Sequence, residues 1–132
     1  MNTEDKAQIH DLVENWAKAV RDENLEGIFA NHSDDIVMFD VPPPLQSKGI
    51  DAYKKTWDLF FSWSTRSRVF NFTELEITAG DTVAFCHGIG HCTGLSPDGV
   101  EENLEFRLTI GLQKVNGQWV ITHEHHSLPS EE

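Results

Sequence analysis

The sequence has few basic residues, few cysteines and no long apolar run. Ten Lys and Arg residues stand against 22 Asp and Glu residues, so the formal net charge is −12 at pH 7. A surface this acidic repels phosphate backbones and anionic lipids, which argues against nucleic acid and membranes as partners. No apolar stretch approaches the roughly 18–20 residues of a membrane-spanning helix, and the acidic N-terminus lacks the apolar segment of an export signal.

The sequence also lacks the motifs of several kinds of catalytic site. No Gly-rich phosphate loop, activated Ser or Cys arrangement, or metal-binding motif is present, so we expect neither a cofactor nor a metal ion. The two cysteines, Cys86 and Cys92, lie on one predicted strand. Six residues of strand span roughly 20 Å, too far for a disulfide within that strand. Free thiols are typical of a reducing compartment, which predicts a cytoplasmic location.

The pattern of apolar residues predicts one α+β domain over residues 1–132, with 128–132 as a flexible tail. Helical spacing indicates helices over 4–21, from the cap residue Asn24, and from Ile50 to about Trp63. A β-rich run, Ile36–Val41, ends at three prolines, and a period of two then predicts four strands, over 69–78, 82–95, 103–115 and 118–127. N-terminal helices packed on a curved antiparallel sheet form a cone, whose open end is a natural ligand pocket.

Two turns set the predicted pairing of the last strands. Ser96–Gly99 has turn composition, and Asn116-Gly117 is the strongest hairpin signal because both residues tolerate positive φ. A two-residue turn pairs Lys114 with Trp119 and Leu112 with Ile121. Without a bulge, the same register continues through three further pairs: Ile110 with His123, Leu108 with His125, and Arg107 with His126. A one-residue bulge would exchange the two faces of the strand.

Three stretches resemble known proteins: residues 34–49, 79–87 and 117–127. They are similar to ketosteroid-isomerase homologues of the SnoaL-like group, in the nuclear-transport-factor-2-like superfamily. The ending Trp-x-x-x-His-x-His-x-Ser also resembles the association domain of calmodulin-dependent kinase. The resemblance runs from about residue 5 to 128 and implies the cone-shaped, cystatin-like fold. Because the superfamily includes isomerases, dehydratases, cyclases, epoxide hydrolases and assembly domains, function must be argued from the site.

The resemblance implies a partial isomerase site. Asp40 falls where true isomerases keep a proton-shuttling carboxylate, before the glycine that matches Gly49. Trp16 replaces their oxyanion-binding tyrosine, and Gly111 replaces their protonated aspartate. Each such donor typically contributes about 3–4 kcal/mol to transition-state stabilisation. The pattern therefore argues against true ketosteroid isomerase activity while leaving Asp40 as a general base.

Each candidate polar residue has a structural alternative. Asp40 is a candidate base or a turn residue that binds backbone amides. His87 and His91 are four strand residues apart, roughly 13 Å, so they do not share a metal ion, and they either line the pocket or face solvent. His123 and His125 are candidate pocket residues or histidines of the core or an interface. Arg107 is a clamp for an anionic group or part of a structural ion pair.

Two functional hypotheses follow. In the first, the domain binds a small hydrophobic or aromatic ligand, either neutral or anionic, and performs cofactor-independent acid–base chemistry of the isomerase, dehydratase or cyclase type. Asp40 is then the base, His87 and His125 relay a proton or stabilise charge, and the ligand-binding residues are Trp16, Tyr53, Trp57, Phe60, His91, Arg107 and His123.

In the second hypothesis, the chain is a non-catalytic dimerisation or assembly domain with a vestigial pocket. Its two-fold interface is formed by Phe106, Leu108, Ile110 and Leu112. We expect a homodimer under both.

Overall fold

The computed structural model describes residues 3–63, 69–95 and 99–130. The described residues form three helices and six strands in an α+β arrangement, with the helices packed against one face of a curved, unclosed sheet. In chain order the elements are α1 (Thr3–Arg21), α2 (Leu25–Phe29), β1 (His32–Phe39), β2 (Ser47–Lys48), α3 (Ile50–Trp63), β3 (Phe70–Ala79), β4 (Val83–Leu95), β5 (Glu101–Val115) and β6 (Gln118–Ser127). None of the helices in these ranges is long and apolar enough to cross a bilayer.

The helices form where the helical spacing predicts them. The apolar stripe of α1 is buried against the sheet and comprises Ile9, Val13, Trp16, Ala17 and Val20. Asn24 caps α2, because its side-chain oxygen accepts the backbone N–H of Gly27 at 3.2 Å. This cap satisfies an amide that would have no partner within the helix, and it confirms the predicted start of the second helix.

The sheet has the strand order β2-β1-β6-β5-β4-β3. Four predicted strands, β3 to β6, are confirmed, and every pairing is antiparallel except that of β1 with β6, which is parallel. The first strand begins earlier than predicted, at His32, and ends at Phe39. It ends there because the Asp40 carboxylate accepts the backbone N–H of Val41 at 2.8 Å and turns the chain out of the sheet.

The β5–β6 hairpin begins as predicted and then shifts register. Asn116 and Gly117 have φ angles of 52° and 81°, and the expected pairs Lys114–Trp119 and Leu112–Ile121 form. A bulge at Thr122 follows, so Gly111 pairs with His123. The three further predicted pairs are therefore wrong, and the observed pairs are Ile110–Glu124, Leu108–His126 and Arg107–Ser127.

The bulge decides which side chains of β6 face the helices. Glu124 and His126 point to the inner face of the sheet, whereas His123 and His125 lie on the opposite, outer face. The residues predicted to form a two-fold interface are instead core residues of the inner face, and only 0–6% of each is exposed: Phe106, Leu108, Ile110 and Leu112. The predicted interface is wrong because those alternate residues of β5 are covered by helices of the same chain. The predicted turn at Ser96–Gly99 lies mostly outside the described residues.

Candidate functional site

A cavity of about 320 Å³ lies between α3, the segment after β1 and the inner face of the sheet. Val41 and Leu59 stand at its rim, each about 50% exposed. Most of its wall is apolar or aromatic, and Asp40 and His126 are its acid–base side chains. The lining residues are Met38, Asp40, Val41, Pro42, Thr56, Trp57, Leu59, Phe60, Phe70, Cys92, Leu104, Phe106, His126 and Leu128. Leu128, assigned to the flexible tail by the sequence, packs against the core here.

Asp40 and His126 are brought together by the parallel pairing of β1 with β6. Phe39 pairs with His125, so the next residue of each strand lies side by side. Asp40 Oδ1 is 4.0 Å from His126 Nδ1. This separation exceeds a direct hydrogen bond and allows one ligand atom to contact both groups. The His126 ring stacks on Phe106 with a centroid distance of 5.7 Å, which fixes its orientation.

Behind the cavity, Glu124 is the centre of a fully buried polar cluster. Its Oε2 accepts hydrogen bonds from Tyr53 Oη at 2.8 Å and from His32 Nε2 at 2.7 Å. Trp16 Nε1–H donates to Tyr53 Oη at 3.1 Å, and His32 Nδ1 lies 2.8 Å from the carbonyl oxygen of Ala30. The network around Oε2 tolerates burial because each of these contacts pairs a donor with an acceptor.

The second oxygen of Glu124 links this cluster to the cavity. Oε1 is 3.3 Å from His126 Nε2, and within the described part of the chain neither atom has an aligned hydrogen-bond partner. Burial alone raises the pKa of the Glu124 carboxyl, but His126 and His32 more than offset this effect and leave the pKa at about 2. Glu124 is therefore a carboxylate at neutral pH. Burial, and then the Glu124 charge, raise the pKa of Tyr53 well above its ordinary value, so Tyr53 remains a neutral donor.

The thiols are poor candidates for nucleophiles. Burial raises the pKa of Cys92, which lines the cavity, to about 11. Burial, and then the Glu124 charge, raise the pKa of Cys86 to about 12. The thiolate is the reactive form, so both groups are unreactive near neutral pH. Within residues 3–63, 69–95 and 99–130, no group of three or more His, Cys, Asp or Glu side chains is arranged to hold a metal ion.

The predicted site residues divide into three groups by position. Asp40, Trp57 and Phe60 line the cavity. Trp16 and Tyr53 are buried behind it, hydrogen-bonded to each other rather than aimed at a ligand. Trp16 therefore does not serve as an oxyanion donor in place of a tyrosine, because its N–H is already used.

The third group does not line the cavity and comprises His87, His91, Arg107, His123 and His125. Each lies on the outer face. Arg107 is exposed and donates from Nε to Ser127 Oγ at 3.0 Å, and His123 Nδ1–H donates to the carbonyl oxygen of Val37 at 2.7 Å. His87, Arg107 and His125 do not approach Asp40, because strand parity and the bulge at Thr122 place those side chains on the opposite side of the sheet.

Sequence reasoning missed three residues of the site. The register without a bulge pairs Arg107 with His126 and Ile110 with His123, so it separates His126 and Glu124 from the apolar residues of β5 that they join in the structure. His32 had no signal, because it is the first residue of a strand and its partner is 92 positions away. An acidic residue between histidines in an otherwise apolar strand was the available indication that one of the two faces held a polar cluster.

Comparison with solved structures establishes the class of protein. The whole chain superposes on an NTF2-like protein of unknown function from Pseudomonas putida KT2440, with a TM-score of 0.89 and 34% identity over 99% of this chain and 91% of that one. An NTF2-like superfamily protein from Salmonella enterica gives a TM-score of 0.83 at 15% identity, covering 99% and 95%. The association domain of C. elegans CaMKII gives 0.74 at 16% identity, covering 96% and 98%. The fold is that of the NTF2-like superfamily.

Within that superfamily, the chain belongs to the SnoaL-like domain family, whose model matches residues 9–131. The resemblance inferred from the three sequence stretches is thus confirmed. No curated protein matches the sequence. The two matches below 25% identity show the fold alone, so function must be argued from the cavity.

Proposed function

We propose that this SnoaL-like domain binds a small, uncharged and largely apolar molecule in the cavity, and that His126 and Asp40 transfer a proton on it without a cofactor. One observation carries the proposal: His126 Nδ1 and Asp40 Oδ1 lie 4.0 Å apart on the wall of an otherwise apolar cavity. At about 320 Å³, the space is near the lower end of the roughly 300–1,000 Å³ range of ligand pockets.

The charge of the wall selects against anions. No lysine or arginine is among the described lining residues, whereas Asp40 is one of them and the Glu124 carboxylate lies directly behind. An anionic ligand would therefore be repelled, and this replaces the expectation of an anionic ligand, which rested on Arg107 being in the pocket. Aromatic walls formed by Trp57, Phe60 and Phe106 favour a flat ring system.

We assign the role of base to His126 and a supporting role to Asp40. Asp40 Oδ1 already accepts the backbone N–H of Val41 at 2.8 Å, whereas His126 Nδ1 has no hydrogen bond among the described residues. In the proposed step, His126 Nδ1 takes a proton from a carbon next to a carbonyl, and the C–H electron pair forms the enolate double bond. The imidazolium then lies between two carboxylates, Glu124 and Asp40, and returns the proton to carbon.

Apart from His126, the described lining residues include one buried N–H without a hydrogen-bond partner, Nε1 of Trp57. Thr56 lines the cavity, but its hydroxyl donates to the carbonyl oxygen of Tyr53 at 2.7 Å. A single neutral N–H of this kind favours carbon acids that ionise readily without strong oxyanion stabilisation.

The test uses β-tetralone, a neutral bicyclic ketone with acidic C–H bonds, and the corresponding tetralin carboxylate as a matched anion. Calorimetry should show binding of the ketone and none of the carboxylate. Deuterium exchange into the ketone, followed by proton NMR, should be accelerated by the wild-type protein. His126→Gln should slow that exchange by about 100-fold or more, and Asp40→Asn should slow it less.

His125→Gln is the matched control, because this neighbouring histidine is exposed on the outer face. Its exchange rate should equal that of the wild type. The proposal is wrong if the carboxylate binds as well as the ketone, or if His126→Gln and His125→Gln catalyse exchange equally.

A second candidate function, assembly, is favoured by the outer face. Val83, Phe85 and Val115 are 61%, 46% and 48% exposed on this face, and association through such a patch would bury them. A homodimer through the outer face predicts twice the chain mass of 15.0 kDa by light scattering. Phe85→Glu should give the monomer, whereas Leu45→Glu, at a position 95% exposed on the loop after β1, should not. A wild-type monomer at high concentration would contradict it.

The cytoplasmic location stays a prediction. It is supported by Cys86 and Cys92, which are both free. Fractionation of cells that express the full chain is the direct test, and recovery from the secreted fraction would contradict it.

A further inference from the structure

We propose that His32 is a positioning residue that acts through Glu124. As an imidazolium paired with Glu124, it keeps that carboxylate ionised. The carboxylate in turn holds the proton of His126 on Nε2, so that the Nδ1 lone pair faces the cavity. The inference rests on the proposed role of His126 as the base, and it explains which of the two ring nitrogens accepts the proton. His32 lies outside the cavity lining, so it would act only through Glu124.

The hydrogen-bond partners of His32 define its protons. Nδ1 lies 2.8 Å from the carbonyl oxygen of Ala30, which can only accept, so Nδ1 carries a proton. Nε2 lies 2.7 Å from Glu124 Oε2, and because Glu124 is a carboxylate that can only accept, the proton between the two atoms belongs to Nε2. With both nitrogens protonated, the ring is an imidazolium, and its side chain is fully buried beside the one carboxylate that neutralises it.

Tyr53 leaves this assignment intact. Its hydroxyl accepts the N–H of Trp16 at 3.1 Å and has a single proton to donate. That proton is directed to Glu124 Oε2 at 2.8 Å, although His32 Nε2 is also within 3.0 Å of Tyr53 Oη. Glu124 Oε2 therefore accepts two hydrogen bonds, one neutral and one from a cation.

The remaining oxygen of Glu124 sets the tautomer of His126. Oε1 faces His126 Nε2 at 3.3 Å, a contact that is not an aligned hydrogen bond, and neither buried atom has a hydrogen-bond partner in the described structure. A buried polar atom without a hydrogen bond costs about 1–3 kcal/mol, and a proton on Nε2 of neutral His126 is the arrangement that lets these two neighbouring atoms pair. Nδ1 is then unprotonated on the side of the ring that faces Asp40 and the cavity.

Loss of the His32 charge should remove the preference of His126 for a proton on Nε2. The groups that face His126 are Asp40 and Glu124, with the rings of Trp16, Trp57 and Phe106 around them. Without His32, Glu124 would be an ionised carboxylate buried with no cation at Oε2, and binding a proton would relieve that cost. A protonated Glu124 no longer requires a donor at Oε1, so His126 would lose its preference for the Nε2–H tautomer.

Nitrogen-detected NMR of the full-length chain labelled at histidine, at pH 7 and without any ligand, tests the inference. In the wild type, His126 should show a proton on Nε2 and a bare Nδ1, and His32 should show protons on both nitrogens. In His32→Gln, which keeps an N–H donor without the charge, His126 should become a mixture of tautomers. His123 is an internal control in every spectrum, because its Nδ1–H is held by the carbonyl oxygen of Val37.

A proton on His126 Nδ1 in the wild type, a neutral His32, or an unchanged His126 tautomer in His32→Gln would each overturn the inference. If His32→Gln does not fold, the wild-type spectrum decides alone. With β-tetralone, His32→Gln should also lower the exchange rate by about tenfold or more and alter its pH profile. The predicted tautomer without any exchange would refute only the proposed function, whereas exchange without that tautomer would refute only the role of His32.

Discussion

Replacing Glu124 with Gln should destabilise the domain more than any comparable change on the surface. The substitution keeps the size and one acceptor but removes the charge that pairs with His32 and faces His126. Both Glu124 and the His32 ring are 0% exposed, so water cannot replace the lost interaction. The remaining imidazole must either stay charged without an anion or release its proton.

The expected loss is a few kcal/mol. Breaking a buried ion pair by removing one partner typically costs about 3–5 kcal/mol. Lowering the pKa of Glu124 from 4.5 to about 2, at about 1.4 kcal/mol per pKa unit, corresponds to about 3 kcal/mol. With an unfolding entropy of roughly 2.1 cal/mol/K per residue, a loss of about 3–5 kcal/mol lowers the Tm of this chain by about 11–18 °C.

Urea unfolding at pH 7, followed by tryptophan fluorescence and circular dichroism, measures this free energy. Glu102→Gln is the control, since Glu102 is exposed on β5 and its loss should change stability by less than about 0.5 kcal/mol. A loss below about 1 kcal/mol in Glu124→Gln would refute the ion pair as described, because the buried cluster would then be no more stabilising than a surface contact.

Three further predictions concern pH, thiol reactivity and the cavity wall. The stabilisation from Glu124 is present above its unfolded pKa of 4.5 and is lost as pH falls toward about 2, so acid titration should destabilise the wild type over this range while Glu124→Gln lacks that component. Cys86 and Cys92, with pKa values raised to about 12 and about 11, should resist iodoacetamide at pH 8 by mass spectrometry and react after unfolding; labelling of the native protein would contradict their burial. Gly90→Ala would place a Cβ against the ring of Phe106, which should cost about 1–3 kcal/mol and weaken β-tetralone binding by calorimetry, an effect that unchanged affinity would disprove.

Much of the fold could be predicted because its signals are local. The α1 stripe, the Asn24 cap and the Asn116-Gly117 turn each depend on residues within a few positions of one another. The parallel pairing of β1 with β6 could not be read in this way, because it joins segments far apart in the chain. The two-residue strand Ser47–Lys48 is too short to show any period.

The site was harder to predict because a single bulge controls it. Asp40 was identified from its position before the prolines, and it does line the cavity. One extra residue at Thr122 exchanged the faces of His125 and His126, and with them the identity of the histidine beside Asp40. Alternation along a strand gives two sets of residues but not the face to which each set belongs, so the choice depends on tertiary structure.

A crystal structure with β-tetralone bound tests most directly whether the cavity is a site of proton transfer. The ring system of the ketone should lie between Trp57 and Phe106, with the carbon next to the carbonyl within about 3.5 Å of His126 Nδ1. A ketone bound on the outer face, or one held in the cavity with its acidic carbon turned away from His126 and Asp40, would contradict it.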